Sequence, residues 1–148
     1  MTAYSFVDTV ATIAGPGGVI SLGAGSGAAE EGITIDQAED KDRMIVGADG
    51  TVMHSLHADK SGTITVRLLK TSPTNARLQA MYDIQTTSSA LWGVNVIAIS
   101  QLSMRDNVTG RAAAFRKQAP LTYAKDATMN EWSFNVGLID RILGGGAG

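Results

Sequence analysis

The chain contains no cysteine. Disulfides, thiolate zinc sites and cysteine nucleophiles are therefore excluded. Aromatic residues make up 5% of the sequence, too few for a platform on which bases of a single strand could stack. No run approaches the ~20 consecutive apolar residues of a membrane-spanning helix, and no basic segment followed by an apolar one stands at the start. The expectation is a protein that acts without export through a signal peptide and without membrane binding.

What is present suits one globular unit. The 148 residues are long enough to enclose a core, and 44% are hydrophobic against 18% charged. The net charge of −2 conceals an asymmetry. Residues 1–59 carry nine acids and two bases, whereas residues 60–148 carry five acids and ten bases. The bases are scattered, with Arg116-Lys117 the only adjacent pair, which argues against a dedicated nucleic-acid binder.

Val19-Ile20-Ser21-Leu22 followed by Gly23-Ala24-Gly25-Ser26-Gly27-Ala28 satisfies the G-x-G-x-x-[G/A] pattern of dinucleotide-binding loops. Physics rejects it. Only Ala28-Ala29-Glu30-Glu31 separate the glycines from Gly32 and the strand-like Ile33-Thr34-Ile35, so no helix of several turns can follow. Two carboxylates would also stand where phosphates must bind. These glycines are expected to let the backbone pass close to another segment.

Period-2 alternation dominates elsewhere. Strands are expected at Phe6–Ile13, Gly62–Leu69, Val94–Ile99 and around Trp132, Phe134, Val136 and Leu138, with Val94–Ile99 apolar enough to be covered on both faces. Weaker strands are expected at Val19–Leu22, Ile33–Ile35, Arg43–Val46, Ala112–Lys117 and Leu121–Ala124. Gly15-Pro16-Gly17-Gly18, Ala48-Asp49-Gly50 and Asp106-Asn107 supply turns. One helix over about residues 73–85 starts from Ser72 as cap and Pro73 as its first residue, with Leu78, Met81, Tyr82 and Gln85 on the buried face. The predicted fold is mainly β: an antiparallel β-sandwich or barrel with one packed α-helix. A Gly-rich and acidic excursion is expected at about residues 23–50, and a flexible Gly-rich end at 144–148.

Chemistry-bearing clusters are weak. His54 and His57 lack a third ligand in any metal-binding spacing, and Asp36, Glu39, Asp40 and Asp42 lack the glycine and final glutamate of a calcium loop. No nucleophile, base and acid stand in a recognisable pattern. The reading is of a non-enzyme with no catalytic, cofactor or metal site.

Four stretches, "YSFVDTVATIAGPGGVISLGAGSGAAEEGITI", "GADGTVMHSLHADKSGTITVRLLKTSPTNARL", "SSALWGVNVIAI" and "LTYAKDATMNEWSFNVGLIDRILG", cover nearly the whole chain. Together they resemble the tail tube proteins of contractile-tailed bacteriophages, a myovirus-type family long catalogued as a phage domain of unknown function. The resemblance implies a single tail tube domain over residues 1–148, forming hexameric rings that stack head to tail inside a contractile sheath. It implies as partners the chain itself, the sheath, a tape-measure protein, baseplate and terminator proteins, and phage DNA in passage. It further implies inner sheets that join around the ring, assembly in the bacterial host cytoplasm and a place in the virion tail. Another self-assembling tail or secretion-system tube or terminator protein is the alternative, and a small binding module or unrecognised enzyme a third. Within the first reading, Glu30, Glu31, Glu39, Asp40 and Asp42 on one side and Arg111, Arg116 and Lys117 on the other are candidate inter-subunit contacts.

Overall fold

A computed structural model describes residues 4–5, 8–23, 28–126 and 128–144, with the backbone alone described for 28–31. The strands are β1 (Thr9–Gly15), β2 (Gly18–Ser21), β3 (Ala28–Gln37), β4 (Asp42–Val46), β5 (Val52–Leu56), β6 (Gly62–Leu69), β7 (Asn95–Gln101), β8 (Asp106–Lys117) and β9 (Met129–Ile142). Helix α1 (Thr74–Gln85) and a short 3-10 turn (Ser89–Leu91) lie between β6 and β7. Seven strands form one antiparallel sheet in the order β2-β1-β7-β8-β9-β6-β3, and β4 and β5 form a separate hairpin.

Alternation in the sequence dictates which face turns inward. In β6, Gly62, Ile64, Val66 and Leu68 are buried while the residues between them are not. In β9, Trp132, Phe134 and Val136 do the same, with Leu138 half-buried. These side chains join Ala11, Ile13, Ile20, Leu22, Ile97, Phe115 and others in one core. Each large apolar side chain so enclosed contributes about 1.5–3 kcal/mol. The sheet curls until Ile33 and Ile35 of β3 share a cleft with Thr9 of β1 and Ile99 of β7. A flat sheet in this strand order would hold them far apart.

Turn chemistry fixes the corners. Pro16-Gly17 joins β1 to β2, with Gly17 at φ +107° as a type II turn requires. Gly23 lies against β1, where an added Cβ would come within 2.7 Å of the Thr9 carbonyl oxygen. The expectation that this glycine segment passes close to other backbone is met there; residues 24–27 lie outside the described residues, as do Phe6, Val7 and residues 145–148.

Helix α1 closes one end of the curled sheet. Leu78 and Met81 enter the core. Tyr82, half-buried, meets Phe115 and Trp92 edge-on, at centroid distances of 5.6 and 6.1 Å. Phe115 in turn contacts Trp132 and Phe134, and the Trp132 indole N–H donates to Asn75 Oδ1 at 3.0 Å. Pro73 occupies the cap position, one residue later than expected. The Ser72 hydroxyl instead accepts from the Thr74 N–H, fastening the turn before the helix.

Other expectations are corrected. Leu121–Ala124 is irregular: Leu121 and Tyr123 are exposed, so the alternation has no buried face to enforce it. The segment is held by Lys70, whose ammonium donates to the Thr122 carbonyl and lies 4.2 Å from the centre of the Tyr123 ring. In β7 only one face is covered, because Val96 and Ala98 point outward. Asp106-Asn107 begins β8, and the turn lies at Leu102–Arg105. The acidic stretch does not leave the sheet at residue 23, since residues 28–37 are β3; what leaves it is the hairpin and its flanks, from residue 38 onward.

Candidate assembly surfaces

The β4–β5 hairpin carries unusual surface chemistry. Met44, Val46, Val52 and Leu56 share one face with Asp42 and His54, and Ile45 and Met53 share the other with Arg43 and Ser55. All six apolar side chains are exposed, Leu56 at 86%. A two-stranded sheet is marginal alone, so its base is pinned. The His57 N–H donates to the Lys41 carbonyl at 2.9 Å, and the Lys41 ammonium donates to the carbonyls of His57 and Asp59. At the tip Asp49 accepts from the Thr51 N–H, and at the base Asp59 accepts from the Ser61 N–H. These bonds hold both carboxyls below the usual range, chiefly through the Thr51 N–H for Asp49 and the Ser61 hydroxyl for Asp59.

The histidines have ordinary partners. His54 Nδ1 stands 2.8 Å from Asp42 Oδ2, and His57 Nδ1 stands 3.0 Å from the Asp40 carbonyl oxygen. Among the described residues no cluster of His, Asp or Glu is arranged to hold a metal ion. The G-x-G-x-x-A segment leads into strand β3, so no helix N-terminus follows it to receive a pyrophosphate.

The predicted charged contacts fall on different elements, the acids on β3, the β3–β4 link and β4 and the bases on β8. Glu30 and Glu31 lie in β3, Glu39 and Asp40 in the β3–β4 link, and Asp42 at the start of β4. Arg111, Arg116 and Lys117 lie on β8, which β9 and β6 separate from β3. Of these, Asp42 has the His54 contact; Glu39, Arg111, Arg116 and Lys117 form no ion pair among the described residues. The structure thus keeps the acidic and basic sets apart within one chain.

Sequence reasoning passed over two further surfaces. Strand β3 ends the sheet, so one of its edges has no neighbouring strand among the described residues. On β8, pairing with β7 stops at Ala113, whereas pairing with β9 continues to Lys117, so 114–117 have no strand on one side among the described residues. Ala112, at φ +51°, lies in the irregularity between Gly110 and Ala113 where the β7–β8 register shifts, just before this edge begins.

The curled antiparallel sheet with a single helix and a separate hairpin is a fold shared with components of contractile injection systems. The chain resembles a chain of the sheath–tube complex of the extracellular contractile injection system PVC in its extended state, with TM-score 0.62 at 13% identity, covering 95% of this chain and 92% of that one. It is similar as well to the tube-terminating cap of the anti-feeding prophage, with TM-score 0.58, 12% identity and coverage of 97% and 93%. A third match is the PVC sheath/tube terminator, with TM-score 0.55, 14% identity and coverage of 96% and 98%. No curated protein matches the sequence. The family model of the bacteriophage PhiTE tail tube protein matches residues 1–144, and the chain belongs to that family.

Proposed function

We propose that this protein is the subunit of a phage tail tube: hexameric rings, stacked head to tail, that form the DNA-conducting inner tube of a contractile tail. The observation that carries the reading is the family match over residues 1–144. The open edges support it. In the order β8-β9-β6-β3 the strands alternate in direction, so the free edge of β3 can receive residues 114–117 of the next subunit's β8 antiparallel. Repeated around a ring, this pairing covers the β3 edge and residues 114–117, both of which a lone subunit leaves exposed.

Contacts between rings fall to the hairpin and the charged sets. Glu30, Glu31, Glu39, Asp40 and Asp42 of one subunit face Arg111, Arg116 and Lys117 of another. A heterologous contact of this kind propagates without closing, as a stacked tube needs. The sheath surrounds the tube, a tape-measure protein fills it during assembly in the bacterial cytoplasm, and baseplate and terminator proteins bound its ends. The chain carries out no catalysis in this role.

A second reading has specific support: two of the similar structures belong to a tube cap and a sheath/tube terminator. Negative-stain microscopy of the purified protein separates them. Long open-ended tubes with sixfold end views are expected; single closed rings that never stack would assign the terminator role, and a monomer at all concentrations would remove both.

A further inference from the structure

The two ends of the β8–β9 strand pair carry features that match each other. At one end the segment that follows β8 exposes Leu121 at 64% and Tyr123 at 83%. Its base is fastened. Ala119 is buried, the Gln79 amide donates to Gln118 Oε1 at 2.9 Å, and Lys70 holds both the Thr122 carbonyl and the Tyr123 ring. At the other end, away from α1, the curled sheet opens into a cleft of about 440 Å³. Ile33, Ile35, Ile99 and Val108 form its apolar wall, with Asp106 and Arg141 among them. The strand register separates the two features. Lys117 pairs with Ser133 next to the exposed segment, and Val108 pairs with Arg141 at the cleft. The run from Val108 to Lys117 spans about 30 Å.

We propose that Leu121 and Tyr123 of one subunit seat in the Ile33–Ile35–Ile99 cleft of a second copy of this chain in the next ring. The proposal rests on the tube reading above and deepens it by naming two surfaces that meet. A contact that propagates without closing joins two different patches, and along a tube these must lie at opposite ends of the subunit. These two do. An aromatic side chain filling an apolar cleft is the common anchor of a specific contact, and a segment already fastened at its base loses little freedom on docking. The charges agree in both signs. Lys125 and Asp126 follow Tyr123, Asp106 and Arg141 line the cleft, and none of the four forms an ion pair among the described residues. The hairpin base borders the same end, since Lys41 and Lys60 share a smaller cavity with Arg141. Arg116 and Lys117 precede the docking segment, so seating it also carries them towards the acids of that base.

Because the chain has no cysteine, introduced thiols report on one contact alone. Ala124→Cys lies beside Tyr123, and Leu143→Cys lies on the cleft rim; both positions are exposed. Tubes of the double variant, assembled under reducing conditions, are treated with a short bis-maleimide and run on a denaturing gel. Linked chains longer than six subunits are expected, because successive rings are joined and a single ring cannot supply more than six. Each single variant should give dimers at most. A series ending at six would put both positions in the contact within a ring. Products no longer than those of the single variants would mean that the cleft is filled otherwise, by this chain's own first residues or by another protein. Either result overturns the proposal. If the double variant does not assemble, mixed tubes of the two single variants decide: dimers found only in the mixture support the proposal, and their absence overturns it. Independently, Leu121→Ser with Tyr123→Ser should fold, by circular dichroism, yet lower tube yield about tenfold or more, as loss of a central anchor does. Unchanged yield would overturn the proposal. If the parent itself forms no stacked tubes, microscopy shows this before any cross-linking, and it is the tube reading that falls.

Discussion

Gln85 and Asn95 exchange side-chain hydrogen bonds in both directions inside the core. Gln85 Nε2 donates to Asn95 Oδ1 at 2.7 Å, and Asn95 Nδ2 donates to Gln85 Oε1 at 2.8 Å. The Gln85 amide also donates to the Pro16 carbonyl at 2.9 Å. Both residues are fully buried. The pair ties the last residue of α1 to the first of β7 and to the β1–β2 turn.

Breaking the pair on one side leaves a buried amide without its partner, at a cost of about 1–3 kcal/mol. Asn95→Ala should therefore lower the urea midpoint markedly, and Gln85→Leu should do so similarly. The double substitution Gln85→Leu with Asn95→Leu should recover part of the loss, because neither polar group then remains. Gly15→Ala should destabilise through the same site, since its Cβ would stand 1.8 Å from Asn95 Oδ1. Equal stability of Asn95→Ala and the parent would remove the pair as a determinant of the fold.

Much of this arrangement could be read from the sequence, because a period-2 pattern with one buried face has a single register. Gly62–Leu69 and the Trp132–Val136 face are of that kind, and α1 was marked by Pro73 and its apolar spacing. Leu121–Ala124 misled because alternation alone does not supply a neighbouring strand. β5 was missed because His54 and Ser55 interrupt its apolar residues and its partner β4 lies outside the main sheet. The open edge at 114–117 is a property of three strands together, which no local pattern encodes. The charged contacts were visible as composition, but the sequence could not say that β9 and β6 separate the two sets.

The glycine segment gives a direct negative test. A pyrophosphate needs several N–H groups converging at a helix start, and the chain after Gly27 runs into β3. Calorimetric titration with NAD, FAD and ATP should give no binding heat. Micromolar affinity for any of them would require a site the strand cannot provide.

Asp49 and Asp59 give a test of acid sensitivity in the hairpin. Hydrogen bonds from Thr51 and Ser61 lower both carboxyls from the ordinary 3.8. A depressed folded pKa contributes stability that is complete above the unfolded value and lost as pH falls through the folded one. The hairpin should thus hold these bonds at neutral pH and release them only below 3.8. Carboxyl carbon shifts followed by NMR should show midpoints under that value for both residues, and Asp59→Asn should remove one titration. Midpoints above it would mean the turn bonds do not persist in solution.

The hairpin is where folding and assembly should come apart. Its apolar side chains are exposed in the subunit, so Ile45→Ser with Met53→Ser should leave the fold and its melting temperature nearly unchanged. The acids at its base are equally dispensable to the fold. Asp42 and His54 remain 52% and 62% exposed, and such a pair contributes about 0–1 kcal/mol. Asp40→Lys with Asp42→Lys should therefore also fold, as circular dichroism would show. Both variants should nevertheless lose tubes, for different reasons. Charge reversal sets like charges opposite Arg111, Arg116 or Lys117 at every stacking contact; screening shortens to about 8 Å at physiological salt and further above it, so tube yield should recover as salt is raised. The serine variant loses apolar burial, which salt does not restore by screening. Sedimentation of tubes across a sodium chloride series distinguishes the two. Full assembly of the lysine variant at low salt would show that the acidic base is only solvated, and full assembly of the serine variant would remove the Ile45–Met53 face of the hairpin from the contact between rings.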